Sequence, residues 1–349
     1  MSTAPSSSKP RIILGLMTFG PDPSRGGRIT DLDDLAKALD IFQQWGYNEL
    51  DTARSYLGGK QEAWTRAAGW KEKGMTIATK VYPNPAGNHK AEVITERFET
   101  SLRELGTDCV DIAYLHAADR SVPFAETLEA MDKLYKAGKF RKLGLSNFTA
   151  FEVAEVVMTC KYNNWVRPTV YQGMYNVLLR SIEPELIPAC RRYGLDIVVY
   201  NPIAGGLFKR EIQDKDQIPA EGRFSDVWKG WQSRGRYYRD STFEALRLVD
   251  KVLEDHGITM IEAALRWLMH HSALKIKDGN DGVIIGVSKL HHVADNLAYL
   301  EKGPLSEEVV EALDAAWAVA KGGAANYWHL DLKYTYDTEA ALFGGEDGN

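Results

Sequence analysis

Short apolar runs of β type alternate with longer amphipathic runs along nearly the whole chain, and this alternation limits the fold more than any other feature. Strand-like segments are predicted at Arg11 to Met17, Glu49 to Thr52, Met75 to Lys80, Val110 to His116, Lys142 to Ser146, Val170 to Gln172, Asp196 to Tyr200 and Gly282 to Gly286. Helical periodicity separates them at Asp31 to Trp45, with Thr30 placed to cap, and at Gln61 to Ala68, Lys90 to Leu105 and Phe124 to Ala137. It continues at Ala150 to Cys160, Pro184 to Arg192 and Phe243 to Asp255. Strands separated by helices pair in parallel through right-handed crossovers, and eight is the number that closes a barrel. The fold class is therefore α/β, a (β/α)8 barrel of the TIM type. Two extra helices are expected at Ile258 to His270 and Leu305 to Val319, and a tail from Gly322 is expected over the barrel mouth. The stretch from Leu207 to Arg239 after strand seven has no clean period and is too long for an ordinary connection, which marks it as a functional loop.

With 349 residues, 44% of them hydrophobic, the chain can bury a large core, and a barrel of this length is one domain. That domain is placed at residues 11–343, between a polar Ser/Pro-rich tail at 1–10 and an acidic end at 344–349, both expected to be disordered. A net charge of −6 argues against nucleic acid as a partner, because phosphate neutralisation needs a basic surface. Three cysteines without CxxC spacing point to neither a disulfide framework nor a thiolate metal site, which fits a reducing compartment. No apolar run reaches signal-peptide or membrane-spanning length. The reading is a cytoplasmic protein with a small-molecule partner and no membrane.

Four ionisable residues fall at or near the ends of strands two, three and four: Asp51, Tyr56, Lys80 and His116. In a barrel these ends open on one face, where such folds place catalysis. A tyrosine can donate a proton near neutral pH when a neighbouring cation favours its phenolate, and Lys80 is such a cation. A buried ammonium needs a carboxylate to stay charged, a part that suits Asp51, and His116 can hydrogen-bond a substrate oxygen. Singly, each residue has an ordinary explanation: a turn for Asp51, packing for Tyr56, an exposed strand-end charge for Lys80, a core-edge histidine for His116. Their joint placement reverses those odds. Paired histidines and carboxylates that would hold a metal are missing from the strand ends.

The chain resembles the aldo-keto reductase family through GLMTFG, ELDTARSY, ATK, LRELGTDCVDIAYLH, KLGLSNF, YNPIAGGLF and IIGVSKLHHVADNL, in that order. The resemblance implies a tetrad at Asp51, Tyr56, Lys80 and His116, with Tyr56 the proton donor in reduction of an aldehyde or ketone. It also implies NADPH as cofactor, bound without the GxGxxG of a Rossmann unit, which this chain lacks. Ser146, Asn147 and Gln172 match the family's nicotinamide carboxamide contacts, Tyr200 matches the aromatic on which the ring stacks, and Met17 joins this set at the mouth. Asn201, Ile203, Gly205 and Leu207 lie on a glycine-containing turn that can bring backbone amides to a pyrophosphate. Ser288, Lys289 and His292 lie where a strand gives way to a helix start suited to the 2'-phosphate, and Asn296 matches an adenine contact. At His292 the family usually carries Gln or Arg.

Within the family the run EGRFSDVWKGWQSRGRYYRDSTFEAL and the segment NYWH resemble the aflatoxin-aldehyde and succinic-semialdehyde reductases, which implies a homodimer. Arg223 is assigned to the cofactor phosphates, with Arg234 and Arg236 as rivals. The substrate side is assigned to His116, Trp228, Trp231, Tyr327 and His329, with Met17 and Trp328 completing an aromatic wall. His329 stands where the subfamily usually has an arginine; a neutral imidazole lacks that fixed charge and bidentate fork, so weak carboxylate recognition and a preference for neutral aromatic aldehydes are expected. A Schiff-base aldolase using Lys80 and a non-catalytic redox sensor on the same barrel are the competing readings. The first leaves Tyr56 and the nicotinamide matches unexplained; the second departs from the NYW segment.

Overall fold

The computed structural model describes residues 9–344, and the disorder expected of the first eight residues and of 345–349 lies outside them. Eight parallel strands run in chain order around a closed barrel. They are β1 (Arg11–Gly15), β2 (Glu49–Asp51), β3 (Thr76–Val81), β4 (Val110–Leu115), β5 (Phe140–Ser146), β6 (Pro168–Met174), β7 (Asp196–Tyr200) and β8 (Gly282–Gly286). Helices α1 (Leu32–Gln44), α2 (Gln61–Ala67), α3 (Ala91–Leu105), α4 (Phe124–Lys136), α5 (Ala150–Tyr162) and α6 (Leu186–Tyr193) each follow one strand. Between β7 and β8 come α7 (Gly230–Tyr237), α8 (Asp240–Asp255) and α9 (Met260–His270); α10 (His292–Leu300), α11 (Glu307–Ala320) and α12 (Thr338–Phe343) follow β8. No helix among the described residues is long and apolar enough to cross a membrane.

Period-two alternation along each strand produces two cores. Ile12, Leu14, Ile77, Leu115, Ile197 and Val199 face the helices and join the large outer core. Their neighbours Ile13, Ala78, Ile112, Tyr114, Val170, Val198 and Ile284 form a second cluster that fills the barrel interior. Gly144 pairs with Tyr114 in register, and a Cβ there would lie 2.3 Å from the Tyr114 ring, so the glycine is what lets that ring cross the barrel. Two residues beyond the inward-facing positions, at the carboxyl ends of the strands, come Lys80, His116, Ser146, Gln172 and Tyr200. The periodicity that packs the interior therefore also aims these side chains at the mouth.

Several local expectations need correction. Asp31, not Thr30, caps α1: its carboxylate accepts the Asp33 amide at 2.8 Å. Thr259 caps α9, so that helix begins after Ile258, and α11 begins after Ser306 rather than at Leu305. The long loop contains α7, whose buried residues are only Gly230 and Tyr237 and which therefore offers no apolar stripe to read. The tail ends in α12, which buries none of its residues. Lys9 and Pro10, assigned to the disordered tail, are placed: the Lys9 ammonium bonds Glu301 at 3.2 Å and lies 4.7 Å over the Tyr47 ring.

Candidate active site

The carboxyl end of β3 holds a fully buried charge of the mouth. The Lys80 ammonium, fully enclosed, donates to Asp51 Oδ2 at 2.5 Å and to the Thr52 carbonyl at 2.7 Å. Asp51 Oδ1 accepts from the Gln172 side-chain amide at 2.7 Å. Burial lowers the Lys80 pKa, and the adjoining Asp51 carboxylate pulls it back up. Tyr56 reaches the pair from a short 3-10 turn after β2, in a chain held against β3 by the Arg54 amide donating to the Lys80 carbonyl at 2.9 Å. Lys80 Nζ lies 5.3 Å from the Tyr56 ring centroid.

Burial pushes the Tyr56 hydroxyl well above its ordinary value and Asp51 adds to the shift, while the Arg223 guanidinium opposes it. Lys80, the cation expected to favour the phenolate, is itself matched at contact by Asp51. His116 packs edge-on against Tyr56 and Tyr82, at 5.9 and 5.1 Å between centroids. Burial drives its pKa well below the usual range, helped by the Lys80 charge, so its ring is neutral. Its Nδ1 is buried without a hydrogen-bond partner among the described residues.

Next to β4 in the barrel, β5 ends at Ser146 and Asn147 takes a left-handed φ of 59°, which asparagine tolerates better than most residues, to turn the chain into α5. The Asn147 amide donates to the His116 carbonyl and to Ser146 Oγ, both at 2.9 Å, and its oxygen accepts the Tyr200 hydroxyl at 2.8 Å. Ser146, Asn147, Gln172 and Tyr200 thus converge, although one Gln172 donor is already given to Asp51. Asn201 repeats the left-handed turn after β7, with φ 66°, and its side-chain amide donates to the Tyr237 hydroxyl at 2.6 Å. Ile203, Gly205 and Leu207 follow on a 3-10 turn in which Gly205 and Gly206 also take positive φ and nothing stands within 4 Å of a Gly206 Cβ. Such bare backbone fits a pyrophosphate.

At the far end, Ser288 Oγ lies 3.4 Å from His292 Nδ1, Lys289 is exposed beside them, and Asn296 is buried on α10. Burial lowers the His292 pKa, and Lys209 is the charge that lowers it most. Lys209, which carries no signal of its own in the sequence, is the last residue of the glycine turn. The groups match a dinucleotide phosphate, but the cationic set includes Lys209 as well as Lys289.

The loop arginines separate by position. Arg223 reaches inward, with Nη2 3.6 Å from Met17 Sδ. Arg234 braces its own loop, bonding Asp226 and the Phe224 carbonyl. Arg236 meets His329, Nη2 to Nε2 at 3.2 Å, and its charge also acts on Tyr82 and Tyr200, with no carboxylate partner among the described residues. The Tyr200 hydroxyl is 3.3 Å from the same His329 nitrogen. Burial, then Arg236, depresses His329 to about 3. Tyr82, missed in the sequence although it follows Lys80 by two residues, faces both histidines.

Two expected wall residues stand elsewhere. Trp231 is 66% exposed, and the buried Tyr327 commits its hydroxyl to the Ala150 amide at 3.1 Å, bracing the start of α5. Trp228 packs over Gly26, where a Cβ would come within 2.6 Å of the indole, and so ties the long loop to the turn after β1. Trp328 is partly buried, edge-on to Tyr327 at 5.2 Å.

Known proteins resemble this chain in sequence and in fold. The model of the Aldo/keto reductase family matches residues 11–318. Aflatoxin B1 aldehyde reductase member 2 of Rattus norvegicus is 41% identical over 332 residues, 92% of this chain and 88% of that protein. Aflatoxin B1 aldehyde reductase member 4 of Homo sapiens is 39% identical over 338 residues, 94% of this chain and all of that protein. A crystal structure of an aldo/keto reductase from Klebsiella pneumoniae, in complex with NADP and acetate, superposes with a TM-score of 0.63 at 25% identity, covering 88% of this chain and 91% of that one.

Proposed function

The chain belongs to the aldo/keto reductase family, and on that premise we propose how its barrel mouth carries out carbonyl reduction. It is an NADP-dependent oxidoreductase. Tyr56 donates the proton to the carbonyl oxygen, with the neutral His116 ring beside it to hydrogen-bond the same oxygen; the edge-on placement of that ring against Tyr56, 5.9 Å between centroids above the Lys80–Asp51 pair, is the observation that carries the reading. The Lys80–Asp51 pair keeps a polarised, water-poor environment under Tyr56, and Arg223 favours the phenolate left after transfer. When bound, NADPH supplies the hydride. Ser146, Asn147 and Gln172 would hold its carboxamide, Tyr200 would flank its ring, and Asn201, Ile203, Gly205 and Leu207 would line the pyrophosphate, with Arg223 above. Ser288, Lys289, Lys209 and His292 would hold the 2'-phosphate, and Asn296 the adenine.

Arg236 alters the substrate expectation drawn from His329. The anion-binding charge missing at position 329 reaches the same place from α7, so aldehydes that carry a carboxylate are substrates alongside neutral aromatic ones. A homodimer in the cytoplasm completes the proposal, supported by the likeness to the aflatoxin B1 aldehyde reductases and by the free thiols of Cys109, Cys160 and Cys190; light scattering should return twice the 39.0 kDa chain mass. The decisive experiment is NADPH oxidation with a panel of aldehydes, dicarbonyls and quinones by native protein and Tyr56→Phe. The variant should lose about 10² to 10⁴ in kcat while binding NADPH as before, because the hydroxyl acts on substrate. Near-native turnover in Tyr56→Phe removes that residue from the acid role.

A further inference from the structure

A buried ion pair outside the tetrad joins three segments of the mouth. Arg120 follows His116 by four residues on the loop after β4, and Glu152 lies on the first turn of α5, just beyond Ser146 and Asn147. Arg120 is 4% exposed and Glu152 fully buried. The guanidinium grips the carboxylate through Nε at 2.7 Å and Nη2 at 3.0 Å, a bidentate fork. Glu152 also closes the capping box of α5, accepting the Thr149 amide at 2.8 Å and its hydroxyl at 2.9 Å, and takes the Tyr334 hydroxyl at 2.8 Å.

The remaining donor of Arg120 points at the C-terminal segment. Nη1 donates to the carbonyls of His329 at 2.9 Å and Asp331 at 3.2 Å, while the Thr335 amide donates back to the Arg120 carbonyl at 2.9 Å. The His329 amide in turn donates to the Asn147 carbonyl at 3.2 Å. The peptide groups on both sides of His329 are thus pinned, one by the cofactor-side loop and the other by Arg120. Leu330, next in the chain, holds a left-handed φ of 63°, a conformation that a leucine adopts only when its surroundings impose it. The ring fixed in this way is the one that meets Arg236 and Tyr200.

We propose that Arg120, through Glu152 and the His329 carbonyl, is a positioning residue for substrate selection: it sets the His329 ring, and through it the Arg236 guanidinium, against the substrate side of the mouth. The proposal rests on the assignment of that wall to substrate. Removing Arg120 outright would leave Glu152 as an unpaired buried carboxylate, at a cost that could unfold the start of α5. Arg120→Lys keeps the cation and removes the fork, and so separates placement from charge.

The test is a double-mutant cycle on the full-length protein with Arg120→Lys, His329→Ala and both, read as KM for succinic semialdehyde, kcat, NADPH Kd and amide hydrogen exchange. Arg120→Lys should raise KM about tenfold, the equivalent of about 1.4 kcal/mol, with kcat and NADPH Kd near native values. In the His329→Ala background the same change should add nothing, because the ring it places is gone. The amides of His329 and Thr335 should exchange faster in Arg120→Lys while the α5 interior stays protected. Equal effects of Arg120→Lys with and without the His329 ring, or an unchanged KM in a folded variant, overturn the proposal. Tyr334→Phe offers a milder check, releasing one bond to Glu152 near the surface, and should shift KM in the same direction by less. Absence of any NADPH oxidation by native protein would instead defeat the reductase reading, and exchange at His329 and Thr335 would still report whether Arg120 holds the segment.

Discussion

The two sides of the mouth are built differently. Asp51, Lys80, Ser146, Gln172 and Tyr200 sit on strands, where parallel register and the alternation of side chains decide both their height and their direction. Arg223, Arg236 and His329 arrive on a long loop and a tail and are held by individual hydrogen bonds to one another and to the strand ends. The first set cannot move without disturbing the barrel. The second can, and it is where loops of a shared scaffold tune substrate choice. On the proposed reading, chemistry rests mainly on the rigid set, with Arg223 the exception, and selection on Arg236 and His329, so damage to each should register in different quantities.

Lys80→Met offers the harshest test of this division. It leaves the Asp51 carboxylate buried with only the Gln172 donor, so urea unfolding should show a loss of about 3 to 5 kcal/mol, with turnover abolished as well. A variant that loses turnover while keeping native stability would mean that the pair is not part of the barrel's rigid framework. Arg236→Met probes the other side: stability should hold, and KM for succinic semialdehyde should rise about tenfold, in line with loss of one charge-assisted contact, while KM for a neutral aromatic aldehyde stays put. If both substrates weaken equally, Arg236 shapes the loop rather than reading charge.

Smaller effects come from the cofactor end, where cations are exposed and share their task. Lys289→Met should weaken NADPH by only a few fold relative to NADH, because screening limits an exposed charge and Lys209 remains near His292. Adding Lys209→Met should bring the two cofactors' Kd values together; a persistent gap would move the 2'-phosphate elsewhere. A further effect concerns pH. His329 is depressed to about 3 by burial and by Arg236, so between the ordinary imidazole value near 6.5 and that value the unfolded chain binds a proton that the folded chain refuses. Stability should therefore decline as pH falls through that window, with His116 acting in the same direction. His329→Gln should flatten the slope of melting temperature against pH between 6 and 4, and an unchanged slope would assign the acid sensitivity to His116 and the carboxylates.

Strand order, the number of strands and the placement of Asp51, Tyr56, Lys80 and His116 at one rim were legible because they follow from local pattern: apolar runs of strand length, helical stripes between them, and ionisable residues at the ends of runs. Residues on the long loop were legible as candidates only. Nothing in EGRFSDVWKGWQSRGRYYRD distinguishes Arg223, which reaches inward to Met17, from Arg234, which bonds Asp226 and the Phe224 carbonyl of its own loop. Trp231 and Tyr327 read as mouth aromatics, yet one faces solvent and the other braces α5.

By itself the sequence determined the barrel, the depth of Asp51, Lys80 and His116 within it, and a glycine turn fit for phosphate, since each depends on spacing along one or two adjacent elements. Tertiary structure alone decided that Arg236 meets His329, that Arg223 reaches inward to Met17, and that Arg120 and Glu152 tie the tail to α5. Those pairings span from 32 residues, Arg120 to Glu152, to 209, Arg120 to the His329 carbonyl. No local periodicity records them, because such contacts form only when the closed barrel brings the strand-end loops and the tail to one rim.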